Sequence, residues 1–218
     1  HLLSLLAVPS LAFIYYFKKY KPTAMGTVLA FVAGYGGIFL IQSVIIPGLP
    51  SIAAKIEIFS KNSIGLPFNT GTIIFFLAVI GGMIYGLLYA IKTNKYELKL
   101  GMLSLLFIMI GYASYGVILV RSNFNPPINE NDPSDVISFV SYLKREQYGD
   151  RPILRGPQYN AQPIEQKQGD AIYVKKGDKY VIADHKIENV YADKDKVFFP
   201  RLYSQQPGHI QAYKQWVK

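Results

Sequence analysis

The residues of this chain whose types could carry chemistry are few, and most lie between Glu130 and His209. There is no cysteine, which excludes disulfides, thiolate metal sites and cysteine nucleophiles within it. Three histidines, His1, His185 and His209, stand far apart, so none has the close spacing of a metal-ligand pair. No phosphate-binding loop, nucleophile elbow or dinucleotide fingerprint occurs. What remains is a set of charged and aromatic residues. Glu130, Asp132 and Asp135 could together bind hydroxyl groups or a divalent cation. Arg145 and Arg151 could pair with a phosphate. His209, in Gln206-Pro-Gly-His209, is of the type that serves as general acid or base near neutral pH. Tyr203 and Trp216 could stack on a ring. Each has a plainer role beside it. Asp132 or Ser134 suits a helix N-cap, with Pro133 in the first turn and Asp135 near the positive helix end. Glu130 suits a solvated loop, the arginines suit surface ion pairs, and the aromatics suit a core.

The elements that would position these residues fall into two halves. Four apolar runs, at about 1–17, 23–46, 71–91 and 98–120, fill the first part of the chain. A bilayer core needs about 20 apolar residues in helix, which the last three runs supply. Stretches 23–46, 71–91 and 100–120 hold no Lys, Arg, Asp or Glu, so an ion path through them is not expected. The first run is shorter and begins at His1, so it reads as the truncated end of a helix. A signal peptide would not explain the other three. The expected fold is a membrane α-helical bundle of four transmembrane helices over 1–120, followed by a small extracytoplasmic α+β region over 121–218.

Lysines set the orientation. Lys18, Lys19 and Lys21 crowd the link after the first run, and Lys92, Lys95 and Lys99 crowd the link after the third. The 47–70 link holds only Lys55 and Lys61, offset by Glu57. Cytoplasmic loops carry the Lys/Arg excess, so residues 121–218 are expected outside the cytoplasm. The net charge of +9 follows from this anchoring. Before Arg121 there are eight Lys and two acids, and from there on fifteen basic and twelve acidic residues. No basic stripe with interleaved aromatics occurs, so a nucleic-acid partner is not expected.

Gly34, Gly36 and Gly37, then Gly81, Gly82 and Gly86, allow close helix approach. Tyr15, Tyr16 and Tyr20 suit a membrane interface. In the outer link, Pro47-Gly-Leu-Pro50 is expected to break the second helix. Ser51 would then cap a short amphipathic surface helix over 52–59, with Ile52, Ile56 and Phe59 on its apolar side. Residues 62–71, rich in Gly and Pro, read as a fixed, turn-rich loop that either caps the bundle, the favoured reading, or forms part of an outward-facing pocket. Beyond the Pro/Asn stretch 121–135 a helix is expected to about Gln147, with Val136, Val140 and Leu143 at helical spacing. Ala171–Val174 and Lys179–Ala183 flank Lys175-Lys-Gly-Asp178 as a hairpin, and Val190-Tyr191 and Val197–Phe199 flank a second turn.

Three separated stretches carry a resemblance. They are Asn62-Ser-Ile-Gly-Leu-Pro-Phe-Asn69, then Asn125–Asp135 with Tyr142–Gly149, and Arg201-Leu-Tyr-Ser-Gln-Gln-Pro-Gly-His209. In this order they resemble a Bacteroidota family of multi-spanning membrane proteins once grouped as a domain of unknown function. That family is related to the protein O-mannosyltransferase-like GT-C glycosyltransferases. The resemblance implies a longer inner-membrane enzyme, of which this chain is an internal fragment. It implies transfer of a sugar from a lipid-linked donor to a protein or glycan acceptor outside the cytoplasm. No cofactor is evident, although a divalent cation could accompany the sugar phosphate. In such enzymes the key acid lies in the first outer loop, which would fall upstream of His1, so no catalytic residue carries over. Glu130, Asp132, Arg145, Arg151 and His209 remain as candidate substrate-binding residues. Two other readings stand beside this one: a membrane-anchored periplasmic binding or scaffold module without activity, and a transporter subunit.

Overall fold

The structure is a computed structural model that describes residues 2–149, 152, 154–200, 204 and 206–216. It divides into two compact units, 1–145 and 146–218. The first is helical. Helix α1 (Ala7–Lys19) is followed by α2 (Ala24–Phe39), α3 (Ile46–Phe59), α4 (Thr70–Lys92), α5 (Tyr96–Tyr112), α6 (Ser114–Ser122) and α7 (Val136–Lys144). Three helical stretches are long and apolar enough to cross a membrane: Ala24–Ile64, Thr70–Lys92 and Tyr96–Ser122. The expected bundle is present with three such spans among the described residues, not four. At 13 residues α1 rises only about 20 Å, short of a bilayer core.

The second helix does not break where its prolines predict. Ala24–Ile64 is one helical run of 41 residues, made of α2, a π-helical stretch Leu40–Ile45, α3 and a second π-helical stretch Ser60–Ile64. Pro47 falls where the π-helical stretch meets α3. Pro50 lies within the helix and cannot donate to the carbonyl of Ile46 four residues back. The Tyr112 hydroxyl of α5 donates to that carbonyl at 3.2 Å, so a neighbouring helix supplies the bond that proline withholds. Ser51 caps nothing; its hydroxyl donates back to the Pro47 carbonyl at 2.6 Å.

Residues 52–59 belong to α3 within that run and form no separate surface helix. Ile52 and Phe59 are exposed, at 49% and 60%, while Ala53, Ala54 and Glu57 are buried. The small and polar stripe faces the protein, and the large apolar residues face outward. Such a helix suits a hydrocarbon surround, where burying apolar area gives no advantage and small residues permit close packing. Ala53 and Ala54 pack with Val136 of α7, and Phe75, Phe76, Ile137 and Val140 surround them.

Glu57 is fully buried. Its carboxylate accepts the backbone N–H of Asn69 at 2.6 Å and that of Thr72 at 3.1 Å, with the Thr72 hydroxyl at 3.4 Å. These groups form the first turn of α4, where N–H groups lack helical partners and the helix dipole favours an anion. Gly65, in the left-handed region at φ 80°, reverses the chain between α3 and α4. Residues 62–71 therefore do close the end of the bundle, as expected, but with only five residues outside helix, Gly65–Asn69. Gly71 allows the tight crossing: a Cβ there would lie 2.8 Å from Glu57 Cα, the Ile56 carbonyl and Ser60 Oγ. Glycines close two more crossings, Gly34 against Pro9 and Gly86 against Met102, whereas Gly81 and Gly82 face open space.

At the other end, Lys19 Nζ donates to the Tyr15 hydroxyl at 2.9 Å. That bond, followed by the charges of Tyr15 and Tyr20 and then of Glu97, holds the Lys19 pKa above its ordinary value. Glu97 lies in the first turn of α5.

The second unit holds two antiparallel pairs. Strands β2 (Glu165–Lys176) and β3 (Lys179–Val190) form a long hairpin about a two-residue turn, with Gly177 at φ 61°. Strands β1 (Arg155–Pro157) and β4 (Lys196–Phe198) pair with each other. The second turn is thus corrected: Val197 pairs with Gly156, while Val190 pairs with Glu165. Helix α8 (Pro207–Trp216) follows.

Two substitutions test the α3–α4 junction. Glu57→Ala leaves buried donors of α4 without an acceptor and is expected to cost about 3 kcal/mol. Gly71→Ala removes no hydrogen bond, yet should lower the unfolding midpoint in detergent comparably, because backbone must move. Midpoints equal to that of the parent protein would contradict this packing.

Candidate functional site

Residues 121–145 hold the acids and one arginine singled out by type. Ser122, 2% exposed, ends α6. Its hydroxyl lies 2.8 Å from Asn129 Oδ1 and 2.9 Å from Asp132 Oδ1, and Asn129 Nδ2 donates to the same Asp132 oxygen at 2.8 Å. Asn123 Nδ2 donates to the carbonyls of Leu119 at 2.8 Å and Ser134 at 2.9 Å. Asn125, Asn131 and Asp132 have positive φ, which short amide and carboxylate side chains tolerate best after glycine. The Pro/Asn stretch is therefore a folded polar knot on the end of the helix.

Asp135 is the N-cap of α7, in place of the expected Asp132 or Ser134. Its carboxylate accepts from Ile137 N at 3.0 Å and Ser138 N at 2.9 Å, and Ser138 Oγ accepts from Asp135 N at 3.2 Å. This is a capping box with serine at the third position. Pro133 is buried ahead of the cap. Val136 and Phe139 are buried, at 3% and 6%, and Val140 and Leu143 of the predicted face are half-buried. The helix ends at Lys144, earlier than expected, because Arg145 turns left-handed at φ 57°.

The candidate residues are dispersed. Glu130 is exposed on the knot, and Asp132 is tied into it. Arg145 is exposed at the far end of α7, whose nine residues rise about 14 Å. His209 is exposed on α8 in the other unit. Arg151 and Tyr203 lie outside the described residues. Trp216 is 87% exposed at the end of α8. Among the described residues no group of three or more His, Asp or Glu could hold a metal ion.

Sequence reasoning missed two features. One is Glu57 as a buried anion; its signal was the stripe Ala53, Ala54, Glu57, Ser60, Lys61 at helical spacing. Lys61 is itself buried, with Nζ 4.5 Å from the Phe68 ring centre. The other is a groove of about 540 Å³ beneath α7. Pro50, Met83, Val136 and Phe139 form its buried floor, and Ile80 and Ile110 stand exposed at its rim.

In the second unit, Lys186 pairs with Glu146 at 2.5 Å, and Tyr159 meets Tyr213 edge-on. Lys196 Nζ lies 3.0 Å from Asp193. That hydrogen bond, then the charges of Lys196 and Arg155, holds the Asp193 carboxyl below the usual carboxylate range.

Residues 149–218 match a family of unknown function, DUF8416. The match begins three residues after the second unit does. No curated protein and no solved structure is similar to the chain.

Asp135→Ala is expected to lower stability by about 1 kcal/mol through loss of the cap. Glu130→Ala, on a solvated side chain, should change it by less than about 0.5 kcal/mol. Equal losses in denaturant titrations would contradict the division of roles between these two acids.

Proposed function

We propose that this chain is part of a polytopic inner-membrane glycosyltransferase of the GT-C type, which transfers a sugar from a lipid-linked donor on the periplasmic side. The observation that carries this reading is the polar knot of residues 122–134, folded and fixed on the end of a membrane-type helix. A sugar phosphate attached to a lipid is presented at that level of a membrane, where a rigid polar surface is needed beside an apolar bundle. Glu130 is the carboxylate on this surface that capping leaves for a ligand, as Asp135 is committed to α7 and Asp132 to the knot. In this reading Glu130 contacts sugar hydroxyls or the cation accompanying the phosphate, and Arg145 contacts the phosphate. The group that takes the acceptor's proton is expected in sequence upstream of His1. Residues 125–135 and 142–149 of the resemblance contain these same elements.

The second reading, a periplasmic binding or scaffold module on a membrane anchor, draws on a different observation. The family match covers 149–218, nearly the whole second unit and none of the first unit's helices. Within that unit, among the described residues, the long hairpin pairs with no third strand, and such an edge can take a partner strand.

The two readings part in one assay. The full-length protein, reconstituted with lipid-linked sugars, is expected to transfer sugar, and Glu130→Gln to lower kcat/KM about tenfold or more, a loss of about 1.4 kcal/mol. Absence of transfer with every donor class, with a purified partner retained on the second unit, would favour the module. Orientation has its own test, free of background because the chain has no cysteine. Lys95→Cys and Glu130→Cys should react with an impermeant maleimide from opposite sides of the membrane. Reaction from the same side would overturn the topology.

A further inference from the structure

We propose that the groove beneath α7 is a structural lipid site, which holds one acyl chain of a bilayer phospholipid. The inference concerns the 540 Å³ groove alone and does not rest on the glycosyltransferase reading. Its long walls belong to α4, α5 and α6, which form two of the three stretches able to cross a membrane. The exposed rim residues Ile80 and Ile110 lie well inside those stretches, so the groove opens onto whatever surrounds the spans. In a bilayer that surround is hydrocarbon, and phospholipid acyl chains are its main component.

Water does not suit the site. A buried water needs two to four polar partners, as a rule. The hydroxyls of Thr72 and Tyr112, two of the few polar groups on the lining, are directed to protein acceptors, the Glu57 carboxylate and the Ile46 carbonyl. An empty groove would forfeit dispersion contacts along its whole floor, and its size is that of pockets that hold small ligands. The space arises from small residues where α5 meets α6. Ala113 separates the two helices, and a Cβ on Gly116 would meet no atom within 4 Å. A flexible, unbranched chain fits an elongated apolar groove that closes on a floor of Pro50, Met83, Val136 and Phe139.

The test uses the full chain in nanodiscs that contain a phospholipid with a diazirine at mid-chain, followed by peptide mapping. A parallel sample carries a diazirine polyprenyl phosphate. Labelling by the phospholipid is expected on 76–83 and 106–119 well above that on the equally exposed face of α2. Gly116→Leu should reduce groove labelling about tenfold, with α2 labelling unchanged. Ala113→Leu, which fills the groove from the preceding turn, serves if Gly116→Leu does not fold. Groove labelling no higher than on α2, or unaffected by either filling variant, would overturn the proposal. Labelling by the polyprenyl probe alone would also overturn it, and would assign the groove to an isoprenoid tail.

Discussion

A backbone N–H that cannot reach water must find an acceptor inside the protein, and the first turn of α4 meets this constraint through one carboxylate. Glu57 lies twelve residues ahead of Asn69 and fifteen ahead of Thr72, on the preceding helix, and accepts from both. The bonds fix the direction in which α4 leaves α3. They demand the close approach that Gly71 permits, and they hold the Ala53–Ala54 stripe where α7 docks. A carboxyl group buried within a helical membrane unit is costly unless its oxygens are satisfied. Here they are satisfied by the positive end of a 23-residue helix together with directed hydrogen bonds.

The same constraint explains how Pro50 sits within a 41-residue helical run. Pro50 withholds a hydrogen bond from Ile46, and Tyr112 of α5 replaces it. The run is continuous only because a neighbouring helix completes it, and the link ties α5 to α3. These contacts enclose the groove beneath α7, whose floor includes Pro50 itself. Function is read from what they position: a fixed polar knot at one end of the helices, and lysine-rich links at the other.

Much of this was legible in the sequence, and the misses share a cause. Run length found three spans of the four expected, and Gly177-Asp178 found the hairpin turn. Of the face marked by Val136, Val140 and Leu143, Val136 is buried and the other two are half-buried. The errors came from applying rules for water to residues in a helical membrane unit. Proline was read as a helix stop, yet Tyr112 lies 62 residues away from Pro50 in sequence and no local rule could supply it. Residues 52–59 were read as a separate surface helix, when they continue the 41-residue run and pack through Ala53, Ala54 and Glu57. The N-cap of α7 was placed early because Asp132 and Asp135 are equivalent by type. Only the tertiary contact of Asp132 with Ser122 separates them. The candidate site was legible as a list of residues but not as a constellation. Arg145 stands at the far end of α7, and His209 belongs to the second unit.

The most direct test of the account is hydrogen exchange at the amides of Asn69 and Thr72, with the chain in nanodiscs. If Glu57 holds the start of α4, both amides exchange slowly, at rates close to those of the α4 interior, and Glu57→Ala speeds them while the middle of α4 stays protected. Rapid exchange at both amides in the parent protein would mean that the carboxylate does not cap the helix, and the account of the α3–α4 junction would fail.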